Sequence, residues 1–427
     1  ELMLPIKKES FQKPVQSIGL FGYGTVGKAV YGIIQNTPGL QASIEKIGIK
    51  DPCKKRNINE GLFTAHAGEI LNNPCIHTIV ELIDDADVAY QIVKDALWQG
   101  KAVVTANKKM IAAHFDELWQ LQKHTGTPLL YEGACCASIP IIRNLEEYYD
   151  TDTLSKIRGI INGSTNFILS RMQDDALPFT EALLQAQQLG FAETNALLDI
   201  DGHDAANKLS ILLAHAFGCV IKPESLLYAG ISKLHGDDVK YANQRKQKIK
   251  LVAQAQKLKN GKLAAFVLPQ FIEAADELAD IHNEFNGLIT ESHYTDKHFF
   301  KGKGAGALPT AAAVLSDIAA LRYGYKYEYK KISTQNSIQL SNDYFIKVYV
   351  SADAFSKIKS HAFEYIDESQ SQYGYCAVTG VILAQKLWED TWWRQPGVSL
   401  VTCTDPITPD ADYKKISRRS LELAGIT

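Results

Sequence analysis

The chain has 427 residues, of which 46% are apolar and 22% are charged, and its formal net charge is −3. This length indicates two or three domains, and the weak charge gives no reason to expect nucleic acid or an anionic membrane as a partner. No apolar run reaches the roughly 20 residues of a membrane span, and seven cysteines without a CxxC pair are typical of reduced thiols in a cytoplasmic protein.

A glycine-rich turn near the start of the chain is the first motif. Residues 17–21 are predicted to form a short buried strand, and residues 28–35 after the turn have helical spacing. The GxGxxG pattern between them lets the backbone turn sharply and lets a dinucleotide pyrophosphate approach the helix N-terminus. The predicted cofactor contacts in this turn are Gly22, Gly24, Thr25, Val26 and Gly27.

The end of the second predicted strand, 44–49, carries signals for both nicotinamide cofactors. Asp51 could accept a hydrogen bond from a ribose 2′-hydroxyl, which favours NAD. Lys50 and the basic run 54–56 could instead neutralise a 2′-phosphate, which favours NADP. A solvated charged turn is the alternative interpretation of these basic residues, so we leave NAD and NADP open and expect NADP to be usable.

Further strands alternate with helices in this half of the chain. Strands are predicted over 76–83, 101–105 and 128–131, with helices over 86–99 and up to about residue 124. The alternation predicts an α/β fold, a Rossmann doubly wound parallel sheet over 1–140 that 305–322 completes. Because ligands bind at the carboxyl ends of such strands, Asn107 and Lys108 are placed to meet a cofactor or substrate.

Residues 141–304 have a different pattern, which predicts a second domain of the α+β class. Amphipathic segments predict helices over 165–173, 179–189, 204–217, 223–234 and 246–258. Shorter apolar runs predict strands over 156–162, 263–268 and 285–291. The loop 162–166 enters a helix, with Ser164 or Thr165 as the expected cap.

An acid-rich stretch in this domain, 190–208, gathers four carboxylates and a lysine. Asp204 can occupy the first turn of a helix, and Lys208 lies four residues later on the same face. The rest of that helix is almost wholly apolar, so a lysine at its start is costly to bury unless it is paired or used in chemistry. An ordinary i,i+4 ion pair is the alternative interpretation.

The last third of the chain has three further features. A second glycine-rich loop, 301–310, precedes a predicted helix and could return to the nucleotide domain. A tyrosine- and lysine-rich tract predicts a linker over 323–340. The order βαββαβ then predicts a small regulatory module over 341–427, with its first helix at 353–364.

Six motifs in the same order make the chain similar to the homoserine dehydrogenase family across nearly residues 15 to 322. They are GYGTVG, TANKK, YEGACCASIPIIRNL, INGSTNFIL, the stretch that ends in GHDAANK, and GKGAGALPTAAAV. The C-terminal region resembles an ACT domain more distantly. The resemblance implies a monofunctional enzyme that forms a homodimer or a higher homo-oligomer, with 141–304 as its substrate-binding and dimerisation domain. In this chain Asp84 and Asp85 replace a pair that is often two glycines.

The resemblance also implies roles for individual residues. Lys208 would be the catalytic acid/base, and Asp204 would hold the hydroxyl or aldehyde end of the substrate with it. Lys108 would lie between nicotinamide and substrate. Glu193 and Asp199 would bind the substrate ammonium group.

Two more sets of contacts follow from the resemblance. Gly306 would touch the cofactor. A sodium ion is implied at Glu132, with the backbone carbonyls of Cys135, Ala137 and Ile139 as further ligands. From the residues alone, this small-residue stretch is interpreted as a tight inter-domain crossover.

Together these observations predict an NAD(P)-dependent oxidoreductase that interconverts L-homoserine and L-aspartate 4-semialdehyde in threonine and methionine biosynthesis. Reduction of an aldehyde creates alkoxide charge, which a nearby ammonium donor can neutralise. Two alternatives stay open. One is a Rossmann enzyme acting on another amino-acid aldehyde or ketone, and the other is a non-catalytic nucleotide-sensing protein.

Overall fold

The computed structural model describes residues 15–193, 195–332 and 338–408. Within them the chain divides into two compact units. The first contains 15–107, 117–131 and 310–327, and the second contains 108–116, 132–309 and the described residues from 328 onward. Across the described residues, no helix has both the length and the apolar character needed to cross a bilayer.

The first unit is built on a six-stranded parallel sheet with strand order β3-β2-β1-β4-β5-β6. The strands are β1 Gln16–Phe21, β2 Ala42–Gly48, β3 Phe63–Thr64, β4 Thr78–Glu81, β5 Ala102–Thr105 and β6 Leu129–Leu130. Its helices include α1 Thr25–Asn36, α2 Ala67–Leu71 and α3 Ala86–Trp98, and α4 Lys108–Thr125 continues from the second unit. This order is that of a Rossmann sheet and confirms the predicted fold class.

The central strands of this sheet are apolar on both faces. Ile79 and Val80 in β4 and Val103 and Val104 in β5 have no exposed surface. Parallel strands are covered by helices on both sides, so short continuous apolar runs, rather than alternating patterns, are expected in them. These continuous apolar runs are the reason that the strands in the first half of the chain could be predicted from its sequence.

The second unit contains a mixed ten-stranded sheet with seven helices between its strands. The strands are β7 Leu154–Ile160, β8 Leu227–Tyr228, β9 Gln247–Lys257, β10 Leu263–Glu273, β11 Phe285–Ser292, β12 Asp296–Lys303, β13 Phe345–Ala352, β14 Phe363–Gln372, β15 Tyr375–Leu383 and β16 Val398–Thr402. The helices are α5 Ile141–Glu147, α6 Gly163–Asp174, α7 Phe179–Gln188, α8 Leu197–Ile200, α9 His203–Phe217, α10 Gly236–Gln244 and α12 Ala384–Glu389. The helix between β12 and β13, α11 Ala307–Leu321, runs on into the first unit.

The main path of this sheet has the order β12-β11-β7-β9-β10-β16-β13-β15-β14, and β8 pairs with β10. Most neighbours are antiparallel, whereas β16 and β8 run parallel to β10. The strands after residue 344 therefore extend the same sheet that contains β7, β9 and β10.

Three helix predictions are wrong. Residues 246–258 form β9, which pairs with β10 through eleven residue pairs, and its central residues 249–255 are buried without a break. Residues 223–234 form a short 3-10 turn, β8 and a loop, because the backbone at Gly230 packs directly on Ile200.

The third wrong prediction is the helix at 353–364, where two short 3-10 turns join β13 to β14. Ile358 and Ala362 have the i,i+4 spacing of a helix, but they are buried from separate turns. The described residues after 344 therefore follow the order β13, β14, β15, α12 and β16 rather than βαββαβ. The predicted linker and ACT-like module fall partly on 333–337 and 409–427, outside the described residues, and stay predictions.

Candidate active site

The acid-rich stretch folds into two successive helices, α8 and α9, joined by a tight turn. Gly202 precedes the first residue of α9 with φ +88°, a left-handed conformation that glycine adopts without strain. The turn places Asp204 in the first helical turn and Lys208 one turn later, as the sequence predicts. Both side chains are buried, with 7% of each residue exposed.

Two lysines share the Asp204 carboxylate. Lys208 Nζ lies 2.8 Å from Asp204 Oδ2, and Lys108 Nζ lies 3.0 Å from Asp204 Oδ1. Lys108 begins α4, so it comes from a segment a hundred residues earlier in the chain. The structure thus brings together the three residues predicted to be catalytic, and Lys108 keeps about a third of its side chain exposed.

The electrostatic balance of this cluster favours its charged forms. Burial opposes ionisation of Asp204, but the ammonium groups of Lys208 and Lys108 outweigh it and lower the pKa of the carboxyl. The Asp204 carboxylate raises the pKa of Lys108, although burial acts against this change. The cluster is therefore a buried carboxylate with two cations, whose net charge is positive.

Asn162, which the sequence analysis did not assign to the site, connects its acids. Its side-chain nitrogen donates to Asp204 Oδ2 at 2.9 Å and to Asp199 Oδ1 at 3.0 Å. Its side-chain oxygen accepts from the backbone N–H of Thr165, so Asn162 caps α6.

The predicted cap of α6, Ser164 or Thr165, is wrong because both residues already lie inside the helix. The signal was present, since asparagine is among the preferred capping residues.

The two acids predicted to bind an ammonium group differ in their surroundings. Asp199 is half-buried, and its Oδ2 accepts from the Ser164 hydroxyl at 3.1 Å. Glu193 is exposed, and within the described residues its carboxylate has no hydrogen bond or ion pair. The structure therefore joins Asp199 to the Asp204 cluster through Asn162 and leaves Glu193 outside it.

Lys208 has a second hydrogen-bond partner in the backbone. Its Nζ donates to the Ile161 carbonyl at 2.8 Å, directly before Asn162 at the end of β7. The Cys135 thiol contacts the Lys208 carbonyl at 3.8 Å. These contacts hold the lysine from both ends and leave one Nζ hydrogen for another acceptor, because an ammonium group has three donors and Asp204 takes one.

The glycine turn in the first unit has the geometry that its motif predicts. Gly22 has φ +95°, and a Cβ there would lie 2.4 Å from the Leu82 carbonyl oxygen. A Cβ on Gly27 would lie 2.1 Å from the Gly22 oxygen, whereas a Cβ on Gly24 would meet nothing within 4 Å. The first and third glycines thus serve the turn and the packing of α1, and the second leaves an open face at the helix N-terminus, beside Thr25 and Val26.

The segment after β2 retains both cofactor signals. Lys50 is exposed, and the Asp51 carboxylate accepts from the backbone N–H of Cys53 at 2.9 Å. The Arg56 guanidinium donates to the carbonyls of Asp51 and Lys54, and it stacks 5.0 Å from the Phe63 ring centroid. This geometry leaves the choice between NAD and NADP open.

A buried glutamate ends β4 in the same unit. Glu81 has no exposed surface and accepts from the Thr105 hydroxyl and from the Ile83 N–H, each at 2.6 Å. Burial raises its pKa to about 7, against these two hydrogen bonds. Of the two acids that follow, Asp85 caps α3.

The predicted sodium ligands surround an irregular turn. Cys136 and Ala137 have φ values of +55° and +37°. The Glu132 carboxylate accepts from the N–H groups of Ile142 and Arg143 at the start of α5, at 2.7 and 3.0 Å. These donors already stabilise its charge.

The carbonyl oxygens of the same turn are in part free to bind a cation. The Ile139 carbonyl accepts from Ile141 N–H, whereas those of Cys135 and Ala137 accept no hydrogen bond within the described chain. Oxygen donors at the turn 135–139 are compatible with a hard monovalent cation.

Gly306, the last predicted cofactor contact, lies exposed before α11 with φ +116°.

A parallel sheet with an open glycine turn and a buried lysine–carboxylate cluster define the class of this protein, an NAD(P)-dependent oxidoreductase of the Rossmann type. Residues 22–132 match the family model described as homoserine dehydrogenase, NAD binding domain, and residues 140–319 match the model for homoserine dehydrogenase. The chain belongs to the homoserine dehydrogenase family. Members of this family are oxidoreductases of amino-acid biosynthesis.

Individual relatives support this assignment over most of the chain. Homoserine dehydrogenase from Bacillus subtilis is 33% identical over 366 residues, which are 80% of this chain and 84% of that protein. A crystal structure of the Thiobacillus denitrificans homoserine dehydrogenase has a TM-score of 0.81 and 26% identity, and covers 91% of this chain and 98% of its own. A hyperthermophilic archaeal homoserine dehydrogenase in complex with NADPH has a TM-score of 0.63 and 27% identity, covering 73% of this chain and 99% of its own.

Proposed function

We propose that this chain catalyses the reversible reduction of L-aspartate 4-semialdehyde to L-homoserine, with Lys208 as the acid/base. The observation that carries this proposal is the pair of ammonium groups, buried Lys208 and partly exposed Lys108, on the single carboxylate of Asp204. Two cations around one anion leave a positive charge in a buried site. Such a site stabilises an alkoxide that develops on a carbonyl oxygen.

In this mechanism the reduced nicotinamide, when bound, supplies the hydride, and the protein supplies position and a proton. Lys208 Nζ donates a proton to the developing alkoxide in reduction, and it receives the proton from the homoserine hydroxyl in oxidation. Asp204 orients both ammonium groups. Lys108, which is partly exposed, is the cation that we assign to the face between nicotinamide and substrate.

The amino-acid end of the substrate needs carboxylate partners. Asp199 is tied to Asp204 through Asn162, so an ammonium group bound at Asp199 would be held at a fixed distance from the reacting carbon. Glu193 is exposed in this structure, so we propose that it contacts the ammonium only when substrate is present. Glu193→Gln should then raise KM for homoserine, and an unchanged KM would count against this role.

The test of the reaction is a spectrophotometric assay of nicotinamide reduction at 340 nm with homoserine and, separately, NAD and NADP. Homoserine-dependent reduction is the expected result, and a panel of other hydroxy amino acids serves as the comparison. Turnover on another member of the panel with none on homoserine would contradict the proposed substrate.

We propose that both cofactors are used and that Lys50→Ala raises KM for NADPH more than KM for NADH.

We further propose a sodium ion bound by Glu132 and the carbonyls of Cys135, Ala137 and Ile139. Support comes from the two positive-φ residues of this turn and from the carbonyls of Cys135 and Ala137, which accept no hydrogen bond within the described chain. The melting temperature should be higher in sodium chloride than in choline chloride at equal ionic strength. Glu132→Gln should remove that difference.

Assembly and localisation are proposals of the same kind. We propose a homodimer formed by the second unit, supported by the exposed edge strand β12 at one end of its sheet. Light scattering coupled to size exclusion can test this homodimer.

We propose a cytoplasmic location because all seven cysteines are free thiols. For the chain as a whole we propose the domain order predicted from the sequence, with residues 1–140 binding the nucleotide and 141–304 the substrate.

A further inference from the structure

A cavity of about 280 Å³ lies in the second unit, apart from the Asp204 cluster. One wall is formed by the turn that precedes α9 and by the loop 228–234, and the other by the segment 393–400. Its lining includes the apolar side chains of Val398 and Leu400 next to charged ones. The cavity is therefore large enough and mixed enough in polarity for a small organic molecule.

Two cations face this cavity without an acidic partner. Lys233 and Arg394 both line it, and within the described chain neither has a carboxylate oxygen within 4.0 Å. Lys233 Nζ instead donates to the Arg394 carbonyl. Burial lowers the pKa of the Lys233 ammonium and Arg394 lowers it further, whereas Asp201 opposes the change. The positive charge of Arg394 thus disfavours the charged form of Lys233, and an anion bound between them would offset that repulsion.

The one carboxylate in the lining does not neutralise both cations. Asp201 Oδ1 accepts from the Ser232 hydroxyl at 2.7 Å, which engages one of its oxygens. With Asp201 counted once against Lys233 and Arg394, the cavity keeps a positive charge.

Aromatic rings fix the arginine at the cavity. The Arg394 guanidinium carbon lies 4.7 Å from the Trp393 ring centroid and 5.7 Å from that of Tyr228. Trp393 is itself fixed, because it is buried and its indole N–H donates to the Leu387 carbonyl at 2.8 Å. A guanidinium stacked in this way keeps its edge free, and that edge presents the paired N–H donors that bind carboxylate and phosphate.

We propose that this cavity is a second small-molecule site, which binds a small organic oxyanion through Arg394 and Lys233. The apolar side chains of Val398 and Leu400 would contact the organic part of the ligand. Carboxylate and phosphate share the chemistry that the two cations recognise, so each is a source of the oxyanion to be distinguished by experiment.

The site is well placed to act on the catalytic cluster. Asp201 and His203 line the cavity on either side of Gly202, and Asp204 follows directly. The loop 228–234, which belongs to the same wall, is attached to this turn, since Ile231 N–H donates to the Ile200 carbonyl at 2.7 Å. An anion bound here therefore contacts the segment that sets the start of α9.

Isothermal titration calorimetry of the full chain, with the nucleotide site saturated by NADP, tests the proposal with inorganic phosphate and with succinate as separate probes. At least one probe should bind the wild-type protein, and Arg394→Gln and Lys233→Met should each weaken that binding about tenfold or more. Binding of succinate alone would identify a carboxylate site, and binding of phosphate alone a phosphoryl site.

The control is Arg245→Gln, which removes an arginine that is paired with Glu368 and does not line the cavity. It should bind the probe as the wild-type protein does, and thermal melts should show that all variants fold. The proposal is overturned if neither probe binds, or if the affinity is the same in the wild-type protein, Arg394→Gln and Lys233→Met.

Discussion

Among the acids of the acid-rich stretch, Asp204 has the most ion-pair and hydrogen-bond partners. It holds two lysines and an asparagine, all at 3.0 Å or less, in a position with 7% exposure. A buried carboxylate with this many donors stays ionised, so it cannot itself deliver a proton at neutral pH. Under the proposed function the proton donor is then a neighbour, and we assign it to Lys208, the buried lysine of the pair, whose contacts with Asp204 and Ile161 leave one N–H for the substrate.

Replacing Lys208 by alanine tests this assignment directly. We expect kcat to fall by about 10²- to 10⁴-fold, the range for loss of a general acid/base, while the cofactor still binds. Steady-state kinetics with homoserine and NADP, together with cofactor binding measured by fluorescence, provide the measurement.

The matched control is Lys240→Ala, which removes another lysine that pairs with an aspartate along a helix but is 73% exposed. Its kcat should equal that of the wild-type protein, because an exposed pair of this kind contributes little. Near-normal turnover of a folded Lys208→Ala variant would end the acid/base assignment.

Glu81 gives a pH dependence of stability whose sign is defined. Its pKa is raised to about 7, above the value of about 4.3 in an unfolded chain. The folded protein therefore holds the proton more tightly, so the contribution is fully present below pH 4.3 and is lost as the pH rises through 7. The free energy of unfolding, relative to Glu81→Gln, should fall by up to about 3 kcal/mol between pH 4.5 and 8.

Chemical denaturation at a series of pH values measures this difference. The control is Glu69→Gln, because Glu69 is an exposed glutamate in α2 of the same unit. The free energy of unfolding of this variant should depend on pH as that of the wild-type protein does. If Glu81→Gln and Glu69→Gln had identical profiles, burial of Glu81 would not control the effect.

At the scale of elements, the start of α9 depends on one glycine. Gly202 has φ +88°, and a Cβ there would lie 3.1 Å from the Ala229 carbonyl oxygen. Gly202→Ala should therefore destabilise the protein by about 1–2 kcal/mol through backbone strain, and it should also raise KM because Asp204 moves with the helix start.

Gly236→Ala is the matched control for this change, since a Cβ at Gly236 meets nothing within 4 Å. Urea denaturation and homoserine kinetics on both variants distinguish the two glycines. Equal stability and equal KM for Gly202→Ala and Gly236→Ala would show that the turn tolerates a side chain.

The elements that could be predicted from the sequence are those whose apolar pattern fits either a helix or a strand, but not both. Strands β4 and β5 and helices α6, α7 and α9 lie where the pattern predicted them, within a few residues. Strand β9 was missed because its mixture of apolar and polar residues over eleven positions fits a helix nearly as well, and its eleven pairs with β10 decide the outcome. That pairing is a contact with another element, which a local pattern does not contain.

The candidate site divides in the same way. The i,i+4 spacing of Asp204 and Lys208 is local, so it could be read directly. Asn162 and Lys108 reach Asp204 from the N-cap of α6 and from α4, and Lys108 was assigned only through its motif. The cation cavity was not foreseen, because Lys233 and Arg394 are separated by 160 residues and meet only through the fold.

At the scale of the whole chain, the C-terminal strands share a core with the rest of the second unit. Phe266 and Leu268 of β10 pack in one apolar cluster with Val348, Val378 and Trp393. We therefore expect the C-terminal strands of this protein to be an integral part of the second unit and not a module that unfolds separately.

Phe266→Ala tests this expectation from outside the C-terminal segment. Phe266 is fully buried and stacks on Tyr344 at 6.4 Å between ring centroids, so its loss should cost about 3–5 kcal/mol. In a background with Trp98 and Trp119 replaced by phenylalanine, the remaining tryptophans report only on residues 388–393. Their unfolding midpoint in urea should fall together with that of the far-ultraviolet circular dichroism.

Phe299→Ala supplies the comparison, because Phe299 is 40% exposed on the edge strand β12 and its loss should lower both midpoints far less. Hydrogen exchange in β9 and β10 adds an independent reading of the same unit. If Phe266→Ala lowered the circular dichroism midpoint and left the tryptophan midpoint unchanged, the C-terminal strands would be a separate folding unit. Coincident shifts would instead show that the C-terminal strands unfold together with the rest of the second unit as one cooperative structure.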